Sequence, residues 1–485
     1  MRTPFAVSLF LILAGAALSW ADEPATDANL ARRLEQLEAE TRQLREQLQT
    51  IHQGQVPAPP SGEFQGTPLA VAGETAAPAP ALAAPAPSPT PATPAGKEEF
   101  FSLEELRGEM QKLVWTKGDF RIVPYGILWA NMVYETNRTQ VGDFTFYVLP
   151  ERPNTREQFH VDARSTRLGF DLTGPQVPLL NCATSGGKVE IDFQRLIDTE
   201  NRAGVLLRHA YAEVKNEDFR LLAGQTWDVI SPLYPGLLMY SVGWGGGNIG
   251  YRRAQFRGER YLDFSDVFLL TLQGSINQDI VSDIGSNFTG DHAGWPVLMG
   301  RIGATLGPRG PGCHPLDFGV SSHVGEQIFD IRTPFLNPVT GLARRTWSLN
   351  ADVRWPITSR FGVQAEFFTG ENLATFFGGV LQGVDIGTTA TPGTRESIGS
   401  TGGWFDVWFD WTPRLHSHAG YSIDDPFNQD VTIGRNYNAF AFANLSYDMT
   451  AKFLVGLEMT AWKTIWVPQG PVDSVHLDFV AKYAF

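Results

Sequence analysis

The chain has 485 residues, a formal charge of −14 and 43% hydrophobic residues, with 49 Gly and 13 Trp. Past the N-terminus no run reaches the roughly 18 uninterrupted apolar residues that a spanning helix needs, which excludes a helical membrane bundle. The acidic balance argues against nucleic acid as a partner.

Residues 1–21 read as a secretory signal peptide: Arg2 is the positive start, Phe5 to Leu18 the apolar run, and Ser19-Trp20-Ala21 a small-x-small cleavage site. Export to a Gram-negative envelope follows from it. Leu30, Leu34, Leu37, Thr41, Leu44, Leu48 and Ile51 then recur at alternating steps of four and three. This is a coiled-coil seam within 28–53, a rod of roughly 33 Å at 1.5 Å per residue. A seam without a partner implies oligomerisation, but Leu at both core positions does not choose dimer or trimer. Residues 54–99 are rich in Pro and Ala and nearly uncharged. They form an extended or disordered linker with a reach on the order of 100 Å. Residues 100–116 read as a short periplasmic helix, with Ser102 and Glu105 as a capping box and Leu103, Leu106, Met110 and Leu113 on one face.

Residues 117–485 carry a different pattern. Val189, Ile191 and Phe193 alternate with Lys188, Glu190, Asp192 and Gln194. Trp347, Leu349, Ala351, Val353 and Trp355 alternate with Ser348, Asn350, Asp352 and Arg354. The last stretch places Val475, Leu477, Phe479, Ala481, Tyr483 and Phe485 on one face, against His476, Asp478 and Lys482. Such segments are strands with one greasy and one wet face. Carboxylates recurring on the wet face would be buried unpaired in a soluble sandwich. In a closed barrel within lipid, acyl chains solvate the greasy face and no edge remains.

The connections alternate too. Short turns fall at 215–217, 356–359, 412–414 and 448–450, with long polar or Gly-rich loops at 277–295, 325–345 and 370–403. Short periplasmic turns and long extracellular loops predict an all-β transmembrane antiparallel barrel of about sixteen strands, both chain ends periplasmic. Residues 141–149 are a stretch where the count could shift. Cys182 and Cys313 fall in two longer short-side turns that are not adjacent in strand order, so a disulfide is not expected.

The terminal alternation ending on Phe485 resembles the C-terminal signature that assembly machinery reads in bacterial outer-membrane barrels. The order of exported precursor, coiled coil, Pro/Ala linker and barrel resembles the DcaP-like trimeric porins. Ser165-Thr166-Arg167-Leu168-Gly169-Phe170-Asp171, Leu207-Arg208-His209-Ala210-Tyr211 and Leu222-Ala223-Gly224-Gln225-Thr226-Trp227 are similar to that family's early strands. The resemblance implies a homotrimer in the lipid bilayer of the outer membrane, open to small solutes. Phosphate-selective porins share the architecture and remain an alternative.

General porins fold their third long loop into the lumen, and the resemblance gives that constricting role to 227–250. This segment carries Trp227, Tyr234, Tyr240 and Trp244, and exposing so apolar a loop would be costly. The alternative is that it covers a subunit interface. The following strand puts Arg253, Gln255, Arg257 and Glu259 on one face; paired arginines can hold carboxylate or phosphate in bidentate fashion. Arg167, Arg301 and Arg354 share the lumen parity of their strands. Some of these arginines are expected to pair with Asp171, Glu190, Asp192 or Asp352, and those without a partner to set selectivity. The parity of Arg208 and His209 is ambiguous.

No catalytic or metal-ligating set stands out, and no cofactor is called for. His416 and His418 beside a short turn, and Asp424-Asp425 beyond the strand, read as solvated positions. The leading function is passive diffusion of small polar, anionic, dicarboxylate-like solutes. The competing readings are a phosphate-selective channel, an envelope tether that engages peptidoglycan through the coiled coil, and a rim enzyme, which lacks a catalytic set.

Overall fold

The computed structural model describes residues 114–485, apart from 140–143, 152–156, 196–202, 281–288, 292, 311, 332–338, 388–390 and 392. The expected signal peptide, coiled coil and linker lie outside the described residues.

All described strand segments belong to one sheet. Its wall has sixteen staves: β1 Phe120–Glu135, β2 in two pieces (Gln158–Asp162 and Arg167–Val177), β3 Ala183–Asp192, β4 Leu206–Lys215, β5 Phe219–Trp227, β6 Arg252–Ser265, β7 Phe268–Asn277, β8 Val297–Leu306 with the short segment Thr289–Asp291 before it, β9 Leu316–Ile331, β10 Val339–Pro356, β11 Phe361–Glu371, β12 Gly399–Asp410, β13 Leu415–Pro426, β14 Gly434–Thr450, β15 Phe453–Val467 and β16 Gly470–Ala484. Neighbours are antiparallel, and β16 pairs with β1 from His476↔Glu135 to Ala484↔Ile127, which closes the barrel. The segment Trp115–Lys117 pairs with the start of β1, Trp115 opposite Ile122. The helix expected over 100–116 therefore does not extend through Val114, Trp115 and Thr116; residues 100–113 lie outside the described residues.

The alternation sorts side chains as a lipid-facing wall requires. On β16, Val475, Leu477 and Phe479 are exposed on the outer face while His476, Asp478 and Val480 are buried inside. A belt of exposed Leu, Phe, Trp and Met around every stave would aggregate in water and is satisfied by acyl chains. Arg208 and His209 break the alternation, and both are buried. Glu190 pairs with His209 and Ile191 with Leu207, so Arg208 is the extra residue of a β-bulge. A bulge turns two consecutive side chains the same way.

Two expectations about connections change. The loop expected over 325–345 is mostly strand, since β9 runs to Ile331 and β10 resumes at Val339. This stretch carries Glu326, Gln327, Arg344 and Arg345, so no apolar alternation marks it as strand. Asp424 and Asp425 lie within β13 rather than beyond it. Cys182 and Cys313 are both free thiols.

Candidate functional site

The lumen is crossed by the connection 228–251, and wall carboxylates hold it there. Glu366 on β11 accepts the backbone N–H of Leu233 at 2.7 Å, and the Ser231 hydroxyl donates to the same carboxylate. Asp406 on β12 accepts from Gly236 N–H at 2.9 Å. Glu458 on β15 accepts from Leu238 and Met239. Asn438 and Ser422 donate to the carbonyls of Gly245 and Gly246 at 2.7 and 2.6 Å. Gly247 has φ +133°, and a Cβ there would press on the Gly403 carbonyl and come within 2.6 Å of the Ser422 hydroxyl. Only glycine lets the loop backbone lie this close to the wall. On the near wall the Tyr240 hydroxyl donates to Asp192, and Arg208 donates to Tyr240 Oη at 3.0 Å. Burial pushes the Tyr240 phenol up to about 12, so it stays a donor.

Two further loops join it. Residues 144–149, one place where an extra strand was conceivable, are a loop segment with an isolated bridge from Val148 to Thr139. Phe144, Phe146, Tyr147, Tyr240, Trp244, Tyr251 and Phe377 form one buried cluster. Trp244 stacks on Phe377 at 4.7 Å, and Phe377 on Phe146 at 5.5 Å. Gly245 and Gly250 donate to the carbonyls of Phe377 and Phe376 at 2.9 and 2.8 Å. Asp424, buried and facing inward, accepts from Val380 N–H at 2.8 Å. The apolar run Phe376-Phe377 and the segment from Phe144 to Leu149 carry the same signal that singled out 227–250: loops too greasy to lie in water.

Of the four aromatic residues singled out in the sequence, Trp227 packs against Tyr234 at 5.0 Å and Trp244 at 5.9 Å. Tyr240 joins Trp244 through Phe144, whose ring is 4.9 and 5.9 Å from theirs, and lies within 5.8 Å of both Arg167 and Arg208.

The arginines divide by partner. Arg253 is fully buried, bonded to Asp228 at 3.1 Å and to the Thr375 carbonyl at 2.6 Å, with Phe376 3.8 Å from its centre. Arg257 donates to Gln255 at 2.8 Å and to the Trp227 carbonyl, and lies 3.4 Å from Glu259. Arg301 grips Asp352 through two bonds of 2.6 and 3.0 Å. Arg208, whose inward turn alternation could not reveal, holds Glu190 at 2.5 Å and Asp192 at 2.8 Å. Asp171 pairs with Lys188 at 3.6 Å.

Arg354, Arg252, Arg167 and Lys482 make no ion pair among the described residues. Arg354 lies 5.3 Å from the Trp408 ring. Arg252 packs 4.6 Å from Trp227 and 4.8 Å from Tyr251, its Nε and Nη1 without an acceptor. Arg167 and Lys482 both sit on the Trp129 ring, at 5.1 and 3.7 Å. The Nε of Arg167 and Nε1 of Trp129 are buried without an acceptor.

His416 and His418 are lumen residues of β13 rather than solvated turn positions. His416 bridges Asp410 at 2.6 Å and Asp448 at 3.3 Å, and His418 meets Asp406 at 3.0 Å.

A closed sixteen-stranded antiparallel barrel with a greasy exterior and a polar lumen filled by inward loops is the fold of outer-membrane porins. The particular resemblance is to the outer membrane channel DcaP of Acinetobacter baumannii, at 16% identity and a TM-score of 0.59, covering 76% of this chain and 99% of that one. An anion-selective porin from Comamonas acidovorans aligns at 12% identity and TM-score 0.47, covering 76% of this chain and 100% of its own. Pseudomonas putida OprB aligns at 10% identity and TM-score 0.47, covering 79% and 97%. At these identities the likeness is one of fold. No family model and no curated protein sequence matches the chain.

Proposed function

We propose that the chain is an outer-membrane porin for passive diffusion of small polar solutes, with a preference for anions of the dicarboxylate kind. The observation that carries the preference is the pair Arg167 and Lys482 on the ring of Trp129, with no ion-pair partner among the described residues and unsatisfied N–H groups beside them. Two cations held together in a narrow lumen cost free energy that an entering anion relieves. A guanidinium fork beside an ammonium suits a solute with two acceptor groups. Arg253 and Arg301 contribute less, because Asp228 and Asp352 neutralise them. We propose the loop 228–251 as the constriction and a homotrimer as the assembly.

The test is reversal potential in planar bilayers under a salt gradient. The native chain is expected to favour anions, and Arg167→Gln with Lys482→Gln to move the potential toward cation selectivity. An unmoved potential overturns the anion preference. No conductance from the native chain overturns the porin reading.

A further inference from the structure

Four of the short turns share one construction. In Thr358-Ser359-Arg360-Phe361 the Thr358 hydroxyl accepts the N–H groups of Arg360 at 3.2 Å and Phe361 at 2.9 Å. In Thr412-Pro413-Arg414-Leu415 the Thr412 hydroxyl accepts from Arg414 at 3.2 Å and Leu415 at 3.0 Å. In Thr450-Ala451-Lys452-Phe453 the Thr450 hydroxyl accepts from Lys452 at 3.1 Å and Phe453 at 3.0 Å. Asn216-Glu217-Asp218-Phe219 repeats the pattern with the Asn216 carboxamide oxygen, 2.9 Å from each N–H. A side-chain acceptor two and three residues back locks such a turn.

The third residue of each turn is also tied to the next stave. The carbonyls of Arg360, Arg414 and Lys452 accept N–H groups from Asp410, Asp448 and Ala484, at 2.8, 2.9 and 2.8 Å. The three cations therefore occupy fixed, equivalent places on consecutive hairpins, spaced about 10 Å apart along the rim, two interstrand widths. Arg360 and Arg414 are exposed, Lys452 is half-buried, and none makes an ion pair among the described residues. The rim is lopsided. The turns after β4 and β6 carry Glu217, Asp218 and Asp266, and Asp263 beside them is bonded to Arg309 at 2.7 Å.

Directly behind the basic arc the outer face carries exposed rings: Trp355, Phe409, Trp411, Tyr447 and Tyr483. Trp411 stands edge-on to Phe409 at 4.8 Å. Exposed Trp and Tyr at the end of a spanning strand mark the boundary between hydrocarbon and headgroups. Arg414 is three residues beyond Trp411, so the cations lie at headgroup depth.

We propose that Arg360, Arg414 and Lys452 form a binding arc for anionic phospholipid headgroups, phosphatidylglycerol in particular, in the leaflet at the short-turn rim. That rim faces the periplasm in outer-membrane barrels, where the leaflet is phospholipid. The depth of the arc favours a lipid phosphate over a cell-wall polymer, which would meet the protein farther from the aromatic belt. The proposal stands on the barrel crossing a membrane and is independent of what passes through it.

The full-length protein in neutral detergent, titrated separately with phosphatidylglycerol and phosphatidylethanolamine, tests it by native mass spectrometry of retained lipid. The native chain is expected to retain phosphatidylglycerol preferentially. A surface cation is worth about fivefold in binding to an anionic leaflet. The triple variant Arg360→Gln, Arg414→Gln, Lys452→Gln is therefore expected to lose at least about tenfold. Glu217→Gln with Asp218→Asn, on the acidic side of the rim, is expected to leave retention unchanged. Arg414→Gln alone gives the single-charge step should the triple variant not assemble, as judged by its heat-dependent gel mobility. Equal retention of both lipids by the native chain, or undiminished retention by the folded variants, overturns the proposal. Loss of co-sedimentation with purified cell-wall sacculi in the triple variant, with lipid retention intact, overturns it in favour of a cell-wall partner.

Discussion

Glu458 accepts the backbone N–H groups of both Leu238, at 2.8 Å, and Met239, at 3.1 Å, across sequence gaps of 220 and 219 residues. Asn444 donates to the same carboxylate at 2.8 Å. One side chain on the far wall thus fixes the middle of the loop that spans the lumen. Replacing it with Ala removes three bonds to a charged acceptor, each worth about 1.5–3 kcal/mol. Glu458→Ala is expected to keep the barrel closed and to loosen the loop. Single-channel recordings should show a larger and noisier conductance; a native trace would mean that Glu366 and Asp406 suffice.

Removing 237–247 takes away the part of the loop that reaches β12–β15. Conductance is expected to rise, though the segments around Phe146 and Phe377 still occupy part of the lumen. No rise in planar-bilayer current would deny this loop the constricting role.

Arg253→Gln is expected to cost stability rather than selectivity. It leaves Asp228 buried beside a neutral amide, and breaking a buried pair from one side costs about 3–5 kcal/mol. Thermal unfolding should begin lower while the reversal potential stays put. A shifted potential with unchanged unfolding would reverse that assignment.

Deleting 28–53 is expected to leave a folded, conducting oligomer if barrel walls hold the subunits together. Native gels decide: monomers would make this segment the clamp, and a protease-sensitive barrel would give it a part in assembly.

The wall was legible because its staves repeat one physical choice, apolar outward and polar inward, and β16 keeps it from Val475 to Tyr483 except at Val480, which is apolar and faces inward. The alternation failed where the backbone itself departs from regular pairing. The bulge at Arg208 hid the arginine that holds Glu190 and Asp192, and the polar end of the β9–β10 hairpin, with Glu326, Gln327, Arg344 and Arg345, carried no apolar alternation. Arg253 and Arg257 were placed on the right face, but parity says nothing of partners. The burial of Arg253 against Asp228 depends on 228–251 folding back over the end of β6. Lys482 was visible as an inward residue of the last stave, yet its meeting with Arg167 on Trp129 depends on closure between the first and last staves. Three lumen-filling loops rather than one follow from the same apolar excess that singles out 227–250 in the sequence.

The seam between β1 and β16 sets a timetable. Asn137 bonds to Ser474 and to the Asp473 carbonyl across gaps of 337 and 336 residues. Gly126 exchanges two backbone bonds of 3.0 Å with Phe485. No local fragment can make these bonds early, and pairing at such separation is slow. The leading stave must wait, one edge unsatisfied, until nearly every later stave has been delivered. That waiting edge is open to pairing with other chains. An accessory factor that shields β1 until β16 arrives would therefore govern yield more strongly than any single contact within the finished wall.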